Sequence, residues 1–186
     1  MHSTPASHIE LLRRADASPV IQVLGIVGFA LLTTLGAKVR LYLWEVPITF
    51  QTLGILGAGL FLGARNGLLS QLLYLGLGLF LPVFAGSGYG PLYLLGATGG
   101  YLLAAPVAAY VVGRLSQSRR SWSGLFLALV AGGGVLFGIG VPWLHWAAGH
   151  TGWWESLDKG LLRFLPWEAT KWLLLSTLYR ALCAWR

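Results

Sequence analysis

Apolar runs of about twenty residues follow one another along this chain, and most of its charges fall between them. A soluble domain carries about 25% charged residues and hides its apolar ones in a single core. Here only 10% of 186 residues are charged and 56% are hydrophobic, more than a water-facing surface can hold. The same arithmetic excludes disorder, and 26 glycines without a Gly-X-Y period exclude collagen. A span needs about 20 residues, so this length predicts an all-α polytopic membrane protein with roughly six spans.

The expected spans are Val20 to Leu43, Leu53 to Gly63, Leu68 to Phe80, Leu92 to Leu115, Gly124 to Ala148 and Pro166 to Trp185. Residues 1–19 form a polar leading segment, and residues 20–186 one membrane domain. Pro47 separates the first two spans. Gly-Ala-Arg-Asn-Gly turns the chain at Arg65, and Pro142 bends or ends span five.

A net charge of +7 would suggest nucleic acid in a soluble protein, but these basic residues are scattered and read as topology signals. Arg13, Arg14, Arg65, Arg114, Arg119, Arg120, Arg180 and Arg186 fall on one side of the spans. Lys38, Arg40, Lys159 and Arg163 fall on the other, beside Glu45, Glu155 and Asp158. The positive-inside rule then places both termini in the cytoplasm, which requires an even number of spans. The single Cys183 forms no internal disulfide and reads as a small apolar residue of a span.

Gly59-x-x-x-Gly63, Gly96-x-x-x-Gly100 and Gly134-x-x-x-Gly138 read as close helix contacts. Trp44, Trp122, Trp153, Trp154 and Trp185 read as an interfacial belt. Gly86-Ser-Gly-Tyr-Gly90 lacks the Lys-Ser/Thr of a phosphate loop. Its backbone at Gly86 and Ser87 is either a tight turn or a source of N–H and C=O groups for a ligand. His145 and His150, five residues apart, fall on different helix faces and do not read as metal ligands. No nucleophile–base set falls at membrane depth, so no enzyme is expected, and no cofactor or metal either.

Glu168 and Lys171 are the sharpest signal. Pro166 suits a first helical turn, Glu168 follows within that turn, and Lys171 lies three residues on, along the same face. Trp172 to Leu175 follow at once, so the lysine sits inside the apolar region. An ionisable group there normally faces a cavity or a partner.

Val46-Pro-Ile-Thr-Phe-Gln-Thr52, Leu81-Pro-Val-Phe-Ala-Gly86 and Gly96-Ala-Thr-Gly-Gly-Tyr-Leu102 stand in an order and spacing that resembles the BioY family. These are the biotin-binding S components of energy-coupling factor transporters. The resemblance covers about Ile21 to Leu182. It implies a six-helix bundle in a prokaryotic cytoplasmic membrane that binds biotin near the extracytoplasmic face, under a lid between spans one and two. Energy would come from a transmembrane coupling subunit and two ATPase subunits, which the absence of a nucleotide motif here accommodates. Ala30, Thr33, Thr34 and Ala37 resemble the face that docks to the coupling subunit. Thr98 and Tyr101, with Gln51 and Thr49 of the lid, match positions expected to line the pocket, and Phe84 would give it an apolar wall. The family commonly reads Pro-Gly-Asp-x-x-Lys on span six, and this chain reads Pro166-Trp-Glu-Ala-Thr-Lys171. Glu168 thus stands for the aspartate and Trp167 for the glycine, which would reshape the pocket. Which end of biotin meets Glu168 and which meets Lys171 stays open at this level. Another small vitamin, or an intramembrane enzyme or structural protein using the same pair, remains an alternative reading.

Overall fold

The computed structural model describes residues 13, 18–41, 46–118 and 121–184. Arg14, Arg119, Arg120 and Arg186 of the charge argument lie outside the described residues, as do Glu45, Trp44 and Trp185. The chain is mostly helical. Helix α1 runs Pro19–Lys38, where Pro19 supplies a ready-made first turn and the Ser18 hydroxyl accepts from the Ile21 amide. Val39 then turns extended, so the helix stops short of the expected Leu43. The chain continues as an antiparallel ribbon, β1 (Arg40–Leu41) paired with β2 (Ile48–Thr49), Arg40 opposite Thr49.

Helix α2, Gln51–Gly78, is two helical arms joined by a non-helical residue, Gly63. Gly63 sits at φ 81°, a backbone state that side chains with a Cβ rarely adopt. A Cβ on Gly67 would lie 2.8 Å from the Gly59 Cα, whereas residues eight apart on a straight helix are about 12 Å apart. The chain therefore reverses at Gly63, and α2 is a hairpin with arms on either side of it. This matches the reversal expected near Arg65.

Helix α3 is a single turn, Pro91–Leu94, and α4 runs Gly99–Ser118. The fourth expected span thus begins later than Leu92, because a turn at 95–98 interrupts it. Helix α5 runs Trp122–Ala147, through Pro142 without ending there. A short α6 (Trp153–Leu157), a π-helical turn (Asp158–Leu162) and α7 (Leu165–Ala184) complete the order. Helices α1 and α5 are each long and apolar enough to cross a membrane, and α2 is so by total length and composition although its reversal at Gly63 divides it into two shorter arms. Val20, Val23, Leu24, Leu31 and Leu35 leave more than half their surface outward on α1, a face suited to lipid rather than water.

Small residues set the helix spacing. Ala104, Ala105, Ala108 and Ala109 of α4 are fully buried. A Cβ on Gly59 would stand 2.1 Å from the Ala109 carbonyl oxygen, so the backbones of α2 and α4 meet directly. Gly134 and Gly138, by contrast, have open space beside them and hold no helix. Ala30, Thr33 and Ala37 of α1 are also buried rather than turned to a partner. The Thr33 hydroxyl accepts from the Gln71 amide at 3.2 Å, and Gly54 packs on the Thr33 backbone. Three of the four residues expected to form a docking face therefore pack α1 onto α2. Thr34 is half-buried, its hydroxyl donating to the Ala30 carbonyl.

The two ends of the bundle differ. One holds the Gly63 reversal, with Gly113 of α4 against Ala64. There Arg13 donates to the Tyr179 hydroxyl at 2.8 Å and to the Ser116 hydroxyl at 2.9 Å. The other end carries the ribbon and a cavity.

Candidate functional site: a lidded cavity with a buried ion pair

Several elements bound the cavity at the ribbon end. Val46, Pro47 and Thr49 come from the ribbon segment, and Gln51, Thr52 and Ile55 from the start of α2. Thr98 comes from the turn before α4, Tyr101 and Leu102 from α4, Leu136 and Phe137 from α5, Gly160 from the π-helical turn, Phe164 from the link that follows it, and Glu168 from α7. Ala85 and Tyr93 complete the wall. The empty space, its open mouth included, is about 670 Å³. Most of the lining is apolar, with a few polar groups that fix orientation.

The glycine-rich segment is held in place from α1. Lys38 Nζ donates to the carbonyls of Phe84 at 2.9 Å and Gly86 at 2.7 Å, and also to that of Pro82. Lys38 is thus an anchor for this loop rather than a snorkelling end of the span. Phe84 is fully buried between Tyr74 and Tyr93, at ring distances of 5.5 and 5.2 Å, and it sets its neighbour Ala85 at the cavity. Gly86 bears its carbonyl toward Lys38 at φ +69°, and Ser87 is exposed. Phe84 and Gly86 therefore support the wall without forming it, and Ser87 lies outside the lining.

On the opposite side, the Tyr101 hydroxyl donates to the Gly160 carbonyl at 2.8 Å. A Cβ on Gly140 would overlap the Tyr101 ring, so that glycine gives the ring its place. The π-helical turn, which widens the helix by one residue, brings Gly160 to the cavity. Beyond it, Ser156 accepts or donates at both His145 Nδ1 (2.8 Å) and His150 Nδ1 (3.0 Å). Both histidines serve this hydrogen-bonded corner, and among the described residues no metal-binding group of His, Cys, Asp and Glu occurs.

The charged pair lies at the base of the cavity. Glu168 is 2% exposed and Lys171 6%, and Lys171 Nζ stands 2.6 Å from Glu168 Oε1. The same ammonium donates to the Thr49 carbonyl at 2.6 Å and to the Thr52 hydroxyl at 2.9 Å. Thr52 in turn donates to Glu168 Oε1 at 2.9 Å. Oε1 is thereby doubly engaged, while Oε2 is buried with no hydrogen-bond partner among the described residues. A buried carboxylate oxygen left unpaired is costly. Its natural complement is an N–H donor from whatever enters the cavity.

The BioY family model matches residues 9–186, nearly the whole chain. A probable biotin transporter BioY of Pyrococcus horikoshii is 37% identical over 144 residues, 77% of this chain and 84% of that protein. The chain belongs to the BioY family. A biotin transporter BioY of Rhizobium etli is 36% identical over 146 residues, 73% of this chain and 77% of that one. The crystal structure of an S-component for biotin from an ECF-type ABC transporter superposes with a TM-score of 0.83. It covers 93% of this chain and 96% of that chain at 24% identity, a likeness that shows the fold.

Within this BioY-family chain, Thr49, Gln51, Thr98, Tyr101 and Glu168 come together on the cavity wall. Lys171 lies behind Glu168 rather than on the wall, its three donors spent on protein acceptors. Trp167 is half exposed and outside the lining, so the indole leaves the cavity's shape alone. Sequence reasoning missed Thr52, Gly160, Phe137 and Phe164. Thr52 stood within the quoted Val46–Thr52 motif and one residue beyond Gln51. The aromatic walls carry no signal in a chain this apolar.

Proposed function

We propose that this chain is the biotin-binding subunit of an energy-coupling factor importer in a prokaryotic cytoplasmic membrane. The polypeptide crosses the bilayer six times: α1, both arms of α2, α4, α5 and α7. Both termini are cytoplasmic, as the arginine bias of the Arg13 and Arg65 end favours, and the cavity opens to the outside. A transmembrane coupling subunit and two ATPase subunits supply the energy, and the chain itself supplies binding.

The observation that carries the reading is that Glu168, which lines a largely apolar cavity, has a buried Oε2 with no hydrogen-bond partner among the described residues. A carboxylate is acceptor-only when ionised. Biotin's ureido ring offers two N–H donors on an apolar bicycle, whereas its acid tail is an anion that Glu168 would repel. The ureido end therefore meets Glu168, and the bicycle lies against Ile55, Leu136, Phe137 and Phe164. Lys171, 2.6 Å from Oε1, is the counter-ion of Glu168. The tail then extends away from Glu168, along the side of the cavity lined by Val46 and Pro47. Thermal melting of the purified protein against a panel of vitamins tests the reading. A ligand that binds only the native state raises the midpoint with its concentration. Biotin alone should do so, and a shift from another vitamin without one from biotin overturns the assignment.

A further inference from the structure

We propose that Lys171 is the latch that holds the ribbon over the cavity, a positioning residue rather than a ligand contact. The inference rests on reading the cavity as the ligand site. An ammonium has three N–H donors, and the three acceptors around Lys171 Nζ use all of them. The shortest of these contacts, equal to that with Glu168, runs to the Thr49 carbonyl in β2. This bond ties α7 to a strand 122 residues away in sequence. Because the acceptor is a backbone carbonyl, it would persist with any side chain at position 49.

Apolar packing also holds the ribbon segment, with Val46 and Ile48 buried against Leu144 and Phe164. That packing sets no polar group of the ribbon and so leaves the lid's hydrogen bonds to two further contacts with the helices among those described. The Phe50 amide donates to the Gly36 carbonyl at 3.1 Å, and the Gln51 amide to the Thr49 hydroxyl at 3.3 Å. Neither reaches α7. Lifting Thr49 away from the cavity therefore removes one acceptor from a buried cation, a loss that disfavours opening. Glu168 links the two events. Its Oε1 holds the latch cation and its Oε2 is left for a ligand, so one carboxylate serves both lid and ligand. A ligand N–H on Oε2 leaves every latch bond intact.

Hydrogen exchange of the ligand-free protein, read by mass spectrometry on peptides covering residues 46–52, tests this without any ligand. Lys171→Met should speed exchange in that segment about tenfold or more, while α4 and α5 exchange as in the wild type. Lys171→Arg, which keeps a cation and donors, should restore much of the protection. Glu168→Gln retains an amide oxygen for Nζ, so it should leave lid exchange near wild type while biotin affinity falls. If Lys171→Met does not fold, Lys171→Gln is compared instead, and faster exchange confined to the lid is expected there too. Wild-type lid exchange in Lys171→Met or Lys171→Gln, with biotin affinity reduced, would make Lys171 a ligand contact and overturn the latch. Failure of biotin to bind the wild type is a separate result. It overturns the ligand assignment and leaves the ligand-free exchange comparison to decide the latch.

Discussion

Replacing Glu168 by glutamine removes one charge and almost no volume, at the point where the cavity's binding chemistry converges. In the proposed placement, Oε2, which has no hydrogen-bond partner among the described residues, accepts from a ureido N–H. A hydrogen bond to a charged group contributes about 1.5–3 kcal/mol, and 1.4 kcal/mol is a factor of ten in affinity. Glu168→Gln should therefore weaken biotin binding by roughly ten- to a hundredfold. A second cost falls on the fold. Lys171, 6% exposed, loses its counter-ion, although the Thr49 carbonyl, the Thr52 hydroxyl and the new amide oxygen still surround it. Breaking a buried pair costs about 3–5 kcal/mol when nothing replaces the partner, so a smaller loss is expected here. Isothermal titration of detergent-purified variants measures the affinity, and thermal melting of the same samples without ligand separates out stability. Glu168→Ala should lose at least as much affinity. Glu168→Asp, which keeps the charge but withdraws it by one methylene, should fall between wild type and alanine. If both the glutamine and alanine variants bind biotin as the wild type does, Glu168 is not in the site and the reasoning fails.

Other outcomes follow from close contacts. A Cβ on Gly160 would stand 2.7 Å from the Tyr101 hydroxyl and 2.8 Å from Leu144 Cδ2. Gly160→Ala should thus cut biotin affinity by about tenfold, the lower part of the 1–3 kcal/mol cost of overpacking, as titration would show. Gly59→Ala places its methyl 2.1 Å from the Ala109 carbonyl, backbone that cannot step aside. It should lower the melting midpoint or abolish folded yield in detergent, and a wild-type melt would contradict the direct contact of α2 and α4. Ser118→Cys, in a Cys183→Ala background, should react with an impermeant maleimide only after the cells are opened. Labelling of intact cells would reverse the proposed orientation.

Much of this architecture is legible in the sequence because a lipid environment demands long apolar helices, and Gly-Ala-Arg-Asn-Gly marks where one must turn back. Glu168 and Lys171 are legible for the converse reason: charge inside an apolar run is expensive and must have a purpose. Their division of labour is not. The lysine's decisive acceptor is the Thr49 carbonyl, and backbone carbonyls are the same at every position. The facing of Ala30, Thr33 and Ala37 is hidden similarly. In α1 both the lipid side and the packed side are apolar, so small residues reveal close contact but not with what. Phe84 was legible as an important aromatic near the site. That it backs Ala85 rather than touching the cavity depends on Lys38 gathering three carbonyls of its loop.

The account turns on an N–H donor from biotin meeting Glu168 Oε2, and competition with altered ligands tests that most directly. Labelled biotin bound to the wild-type protein is displaced by unlabelled biotin, by biotin methyl ester, or by biotin alkylated on its ureido nitrogens. The ester keeps both N–H donors and loses only the anionic tail, so it should still compete. The alkylated analogue has no donor for Oε2 and should fail at concentrations where the ester succeeds. Equal competition by the two analogues, or displacement by the alkylated one alone, would contradict the placement of biotin at Glu168.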